Sequence, residues 1–373
     1  MFKLLELFKL GILVTIAIFY LDSCSSNDMF ENEDIVFPDK TERKYSHPTD
    51  MVLIYDGGVH RSVKWNKDHF APYVSIENEE GTKDWLFDGY LFLEITNGKG
   101  RGFASYYEKQ GARKLEWKEL VDNYFREDNA IMALNERIEE VKQKVEESEF
   151  KKRKVVLCLP EPIPNQRDWG EYNNKTLNFS RTEDRLTACK WYVDYAEDMF
   201  EKSGVENLDL VGFYWIAEEA TNSRLLSGSV ASYIHKKGYN FYWIPYFFAD
   251  GYSEWRDLGF DQSYYQPNYF FKETTPITQL EEACIRAKKN KMSMEMEFDE
   301  NALKKHGKGY RMKEYIRMFE KHEVWKSMDV AYYQGEDAFN KLFHSNEVED
   351  NNLYMSLANI IAKRQKTITR NKK

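Results

Sequence analysis

The feature that most restricts the fold of this chain is a repeated alternation. From Asp50 onward, short runs rich in β-branched and aromatic residues take turns with longer segments of helical period. Eight runs read as strands: Met51 to Tyr55, Phe87 to Ile95, Lys154 to Leu159, Leu208 to Trp215, Asn240 to Tyr246, Gly259 to Tyr265, Met292 to Phe298 and Met328 to Tyr333. Eight strand and helix units across about 310 residues match the size and order of a (β/α)8 or TIM barrel. An open doubly wound α/β sheet is the alternative. Its dinucleotide-binding version is disfavoured, because Tyr55-Asp56-Gly57-Gly58 follows the first strand where G-x-G-x-x-G would be needed.

The helices carry their own punctuation. Asn129 to Phe150 places Ile131, Leu134, Ile138, Val141 and Val145 on one stripe, with charge opposite, as expected of a helix on the outside of a sheet. Ser180-Arg181-Thr182-Glu183 has capping-box spacing, and Gly204 stands where that helix should end. Thr275-Pro276 opens a helix that ends near Asn290. Gly98-Lys99-Gly100-Arg101-Gly102 lacks the ending of a phosphate loop and reads as a flexible surface turn. No repeat of solenoid or propeller period is present.

Composition narrows the function classes. Aromatic residues make up 16% of the 373 residues, too many for a disordered chain, and the formal net charge of −9 gives no field to gather nucleic acid. Gly11 to Leu21 is too short to span a bilayer but matches a signal-peptide core preceded by Lys3 and Lys9. Leu21-Asp22-Ser23-Cys24 follows and resembles a bacterial lipobox, with Asp22 departing from the usual small residue. Four parts are expected: a signal peptide at 1–23, a tether at 24–49 beginning with a lipidated Cys24, a barrel at 50–362 and a solvated basic tail at 363–373. The acidic stretch after Cys24 fits either surface export in a Gram-negative envelope or a plain linker. Cys158, Cys189 and Cys284 are far apart and read as buried thiols. The seven histidines form no H-E-x-x-H, so a histidine zinc site is not expected, and the hydrolysis expected below needs no organic cofactor.

In such a barrel, function collects where strands end and loops begin. Two strand ends carry paired glutamates. The fourth runs Tyr214-Trp215-Ile216-Ala217-Glu218-Glu219, and the seventh Met294-Glu295-Met296-Glu297-Phe298. Alternation puts Ser293, Glu295 and Glu297 on one face and the methionines on the other, which must meet the helices. The glutamates then point to the barrel axis, with Glu297 nearer the mouth. A carboxyl after strand four and another ending strand seven is the arrangement of the large retaining glycosidase clan, in which Glu218 would be the acid/base and Glu297 the nucleophile, with Glu295 helping to keep their ionisations apart. Structural glutamates pairing with Arg or Lys would produce the same letters.

Aromatic residues gather at the same ends. Tyr214, Trp215, Tyr246 and Trp255 can stack on the C–H faces of sugars or, as most such rings do, fill the barrel and its helix interface, while Gln266, Asn268 and Asp56 can bind hydroxyls. At these residues the sequence resembles a family of secreted bacterial proteins known as domain of unknown function 4855. The stretches that carry it are Leu53-Ile54-Tyr55-Asp56-Gly57-Gly58, Gly212-Phe213-Tyr214-Trp215-Ile216-Ala217-Glu218, Ile244-Pro245-Tyr246 with Gly251 and Trp255, Gly259-Phe260-Asp261 through Gln266-Pro267-Asn268-Tyr269, and Glu295-Met296-Glu297. The resemblance implies a glycoside-hydrolase-like barrel and directs attention to Glu218, Glu295 and Glu297. The adjacent Glu219 leaves open which of the two faces inward. The function expected is hydrolysis of an extracellular oligo- or polysaccharide by a membrane-anchored protein; the alternative is a non-catalytic glycan-binding lipoprotein.

Overall fold

A computed structural model of the protein describes residues 44–145 and 150–371. Eight strands form its centre: β1 (Asp50–Tyr55), β2 (Gly89–Leu93), β3 (Arg153–Leu159), β4 (Leu208–Trp215), β5 (Asn240–Trp243), β6 (Gln262–Tyr265), β7 (Ser293–Glu297) and β8 (Val330–Tyr333). Each pairs in parallel with the next, and β8 closes on β1 through Asp50↔Val330, Met51↔Ala331 and Val52↔Tyr332. The eight strands read from the sequence are therefore these eight, and closure removes the open-sheet alternative. Edges differ where the backbone cannot pair. β5 stops at Trp243 because Pro245 has no amide to donate, leaving only a lone bridge between Tyr246 and Gln266. β6 starts at Gln262 because Gly259, at φ 95°, is still turning the chain.

Helices jacket the ring. In Ala130–Lys142 the residues Ile131, Leu134, Ile138 and Val141 are buried as the stripe requires. This helix ends short of the expected Phe150, with Val145 beyond it in a bridge to Lys83 and residues 146–149 outside the described residues. The helix Thr182–Ser203 ends at Gly204 in the left-handed region, as expected, but its capping box does not form. Ser180 Oγ instead donates to Asn178 Oδ1 (2.6 Å), and the first-turn acid Asp184 takes the Asn178 amide (2.9 Å). Pro276 is the residue before the helix Ile277–Lys289 and not its first helical residue. Cys158, Cys189 and Cys284 are free, buried thiols.

The N-terminal end of the barrel is sealed by two segments that the sequence suggested were loose. Residues 44–49, read as tether, lie across the floor. The Tyr45 carbonyl accepts from Asn240 Nδ2 (3.1 Å), the His47 carbonyl from Lys154 Nζ (2.9 Å), and the Pro48 carbonyl from Tyr264 OH (3.4 Å). Residues 363–371, read as a solvated tail, continue the helix Val348–Asn371. Arg364, only 8% exposed, donates through Nε to Asp50 Oδ1 (2.8 Å) and through Nη2 to the carbonyls of Thr49 and Met328. Gln365 donates to the other Asp50 oxygen (2.9 Å). The basic residue that looked solvated thus satisfies a carboxylate buried at the start of β1.

Candidate active site

Register places the acidic residues. On β7, Glu295 lies opposite Ala331 and Glu297 opposite Tyr333, while Met294 and Met296 are fully buried between them on the helix side. On β4 the pairing to β3 slips by one residue between Leu210 and Gly212. This bulge resets the alternation so that Tyr214 faces the axis and Trp215 the helices. Gly212 permits it: a Cβ there would stand 2.2 Å from the Asn240 carbonyl oxygen. Glu218, three residues past β4, then meets Glu295, Glu297, Tyr214, Gln266 and Asn268 around one cavity of about 380 Å³. Tyr55, His60, Arg61, Glu94, Tyr107, Phe271 and Tyr333 are also in its wall.

The carboxyl groups are held differently. Glu297, 1% exposed, accepts from Tyr315 OH (2.5 Å), the Tyr269 amide (3.3 Å) and Asn268 Nδ2 (3.4 Å). Glu218 accepts from Gln266 Nε2 (3.0 Å) on one oxygen and Tyr107 OH (3.2 Å) on the other. Gln266 Oε1 accepts from Asn268 Nδ2 (3.4 Å), so two amides bridge Glu218 to Glu297. Glu295 is 2% exposed and its Oε1 has no partner.

Burial raises the pKa of all three above a glutamate's ordinary value, but to different degrees. Glu295 is pushed furthest, by desolvation and then by the charges of Glu297 and Glu218. For Glu297, desolvation is opposed by its hydrogen-bond donors, Tyr315 first, and for Glu218 by Gln266 and Tyr107. The group without donors, Glu295, keeps its proton most firmly.

The sequence reading missed Glu94, which directly follows β2 and binds Arg61 through two contacts of 2.7 Å, with the Gly58 amide at 3.2 Å. A Cβ on Gly58 would stand 2.4 Å from the His60 ring and 2.8 Å from Glu94 Oε2, so those side chains would have to shift to admit one. Glu94 did carry a signal, a lone charge closing an apolar run. Tyr107, on a loop, and Tyr315, on the helix Gly309–Lys321, carried none.

Other candidates lie elsewhere. Glu219 turns away to accept from Tyr246 OH (2.8 Å), so Glu218 is the one that joins the β7 pair. Trp215 is fully buried, donates to Ser223 Oγ (3.0 Å) and packs on Phe241, so it offers no sugar platform. Trp255, 2% exposed, donates to the Asn290 carbonyl (3.0 Å) and is a structural wedge. Asp56 accepts from Asn123 (2.6 Å) and Asn129 (2.9 Å) outside the cavity, its pKa raised by burial to about 6. Cys24 lies outside the described residues.

Fold and site together define a (β/α)8 barrel with four glutamates, Glu94, Glu218, Glu295 and Glu297, around one cavity at the end where such barrels carry their chemistry. The chain belongs to the family described as Domain of unknown function (DUF4855), whose family model matches residues 50–359. No curated protein matches it. Solved structures similar to it include a mutant tryptophan synthase α-subunit from Pyrococcus furiosus, at 8% identity and a TM-score of 0.37 over 83% of this chain and 96% of that one. Another is the intracellular xylanase TsXylA from Thermoanaerobacterium saccharolyticum, at 9% identity and a TM-score of 0.39 over 79% and 87%. The carboxyl transferase domain of Rhizobium etli pyruvate carboxylase matches at 7% identity and a TM-score of 0.38, over 86% and 48%.

Proposed function

We propose that this protein is a retaining glycoside hydrolase acting on an extracellular oligo- or polysaccharide. The observation that carries the reading is the convergence of Glu218 and Glu297, from non-adjacent strands, on one cavity where Gln266 and Asn268 bridge them. Burial raises the pKa of Glu218, the direction that a proton donor to the departing glycosidic oxygen needs, and raises that of Glu297 to about 7, so the roles are assigned by position at the strand ends. Glu297, fixed by donors from Tyr315, Tyr269 and Asn268, attacks the anomeric carbon. Water then releases the sugar, with Glu218 accepting its proton. Glu295 stays neutral and so adds no second charge beside the nucleophile. The rings of Tyr55, Tyr214, Phe271 and Tyr333 supply faces for the sugar's C–H groups. No organic cofactor enters this scheme.

The test is sugar release from glycans identified on an array, with the product anomer followed by NMR. Glu218→Gln and Glu297→Gln should each lower release by about 10²- to 10⁴-fold, and the first product should keep the substrate's anomeric configuration. A wild-type protein that binds glycans but releases no sugar would make it a binding protein instead. We also propose that it is lipid-anchored in the cell envelope through Cys24, a reading supported by the apolar run Gly11 to Leu21 and the lipobox-like Leu21-Asp22-Ser23-Cys24.

A further inference from the structure

Beside the main cavity lies a second pocket of about 260 Å³, with Ser105, Tyr107, Glu161, Glu218, Glu219 and Tyr246 in its wall. It shares Tyr107 and Glu218 with the main cavity, so Glu218 stands at the boundary between the two. Glu161 follows β3 by two residues and is 2% exposed. Its Oε2 accepts from the Ser105 amide (2.7 Å), but its Oε1 is buried without a partner. No Lys, Arg or His lines the pocket. Arg185, whose charge reaches Glu161, directs its donors to the carbonyls of Pro162 (2.7 Å) and Asn222 (2.8 Å) instead.

Three carboxyl groups and several hydroxyls thus surround a space that offers them no cation. A buried acceptor without a partner is unfavourable until a donor arrives, and a charged donor satisfies it best. Among the described residues no group of three or more His, Cys, Asp or Glu is placed to hold a metal ion, which favours an organic cation. An ammonium group on a sugar ring brings three donors for the carboxyl groups, while the ring can lie against Tyr107 and Tyr246.

We infer that this pocket is a subsite for a sugar bearing a free amine, lying on the leaving-group side of Glu218, so that the glycan acted upon contains unacetylated amino sugar. The leaving-group placement rests on the hydrolytic reading of Glu218; recognition of the amine does not.

The test is calorimetric or NMR titration of the full-length chain with glucosamine, N-acetylglucosamine and glucose at about pH 7, where a sugar amine is still largely protonated. Glucosamine should bind at least about tenfold more tightly than the other two, the scale of one hydrogen bond to a charged group. Glu161→Gln should erase that preference and Glu297→Gln should retain it. If Glu161→Gln does not fold, Glu219→Gln serves the same comparison. Equal binding of the three sugars, or a preference that survives both Glu161→Gln and Glu219→Gln, would overturn the subsite. An amine preference in a protein that cleaves no glycan would refute hydrolysis while leaving amine recognition intact, and cleavage without the preference would do the reverse.

Discussion

Tyr315 and Tyr107 each hold one member of the proposed catalytic pair, and each lowers its partner's pKa by donating to the charged form. Removing either donor should therefore move one limb of the pH–rate profile. Tyr315→Phe should shift the acidic limb upward, because Glu297 then ionises less readily, with a loss of roughly tenfold in kcat for one charged hydrogen bond. Tyr107→Phe should shift the alkaline limb upward, because Glu218 then keeps its proton longer. Kinetics across pH on the two variants checks both, and a profile unmoved by either would separate these tyrosines from the chemistry. The glutamates were legible because charge at a strand end, flanked by methionines, has nowhere to go but the axis. Trp215 and Trp255, open in sequence to a sugar-platform or a core reading, are core: an indole looks the same whether its N–H meets a ligand or, as here, Ser223 and the Asn290 carbonyl. Tyr107 and Tyr315 could not be picked out, since the first sits on an irregular loop and the second in an apolar helix stripe where a ring needs no further explanation.

At the level of elements, all eight strands were visible as β-branched and aromatic runs, because burial of a parallel sheet on both faces leaves such runs apolar. The β4 bulge was not, since it exists only in the mismatch between two strands. The last helix was misjudged for a different reason: Lys and Arg normally mark solvent, and nothing local to residue 364 reports the buried Asp50 some 300 positions earlier. Arg364→Met should leave that carboxylate without its cation and destabilise the fold by about 3 kcal/mol, lowering Tm by ~5 °C. Adding Asp50→Asn should recover much of the loss. Calorimetry on the single and double variants decides, and a single variant as stable as wild type would remove the clamp.

For the whole molecule, several carboxyl groups have pKa values raised by burial, among them Asp56 to about 6 and Asp329 to about 7, together with Glu218, Glu295 and Glu297. The folded state binds these protons more tightly than the unfolded chain, so the stability they contribute is full below the ordinary carboxylate pKa and is lost as pH rises through the raised values. Asp88, Asp184 and Asp337 are lowered, and their contribution is lost as pH falls through their folded values. The urea midpoint should therefore be higher at about pH 5 than at about pH 8, and equal midpoints would count against these protonation states. The proposed lipid anchor predicts that wild type partitions with membranes and that Cys24→Ala moves it to the soluble fraction and abolishes any lipid adduct seen by mass spectrometry. The ring's last seam, β8 against β1, is fastened by a guanidinium from the final helix. A nascent chain thus cannot fasten this seam until the segment carrying Arg364 has followed Asp50 out of the ribosome, 314 positions later.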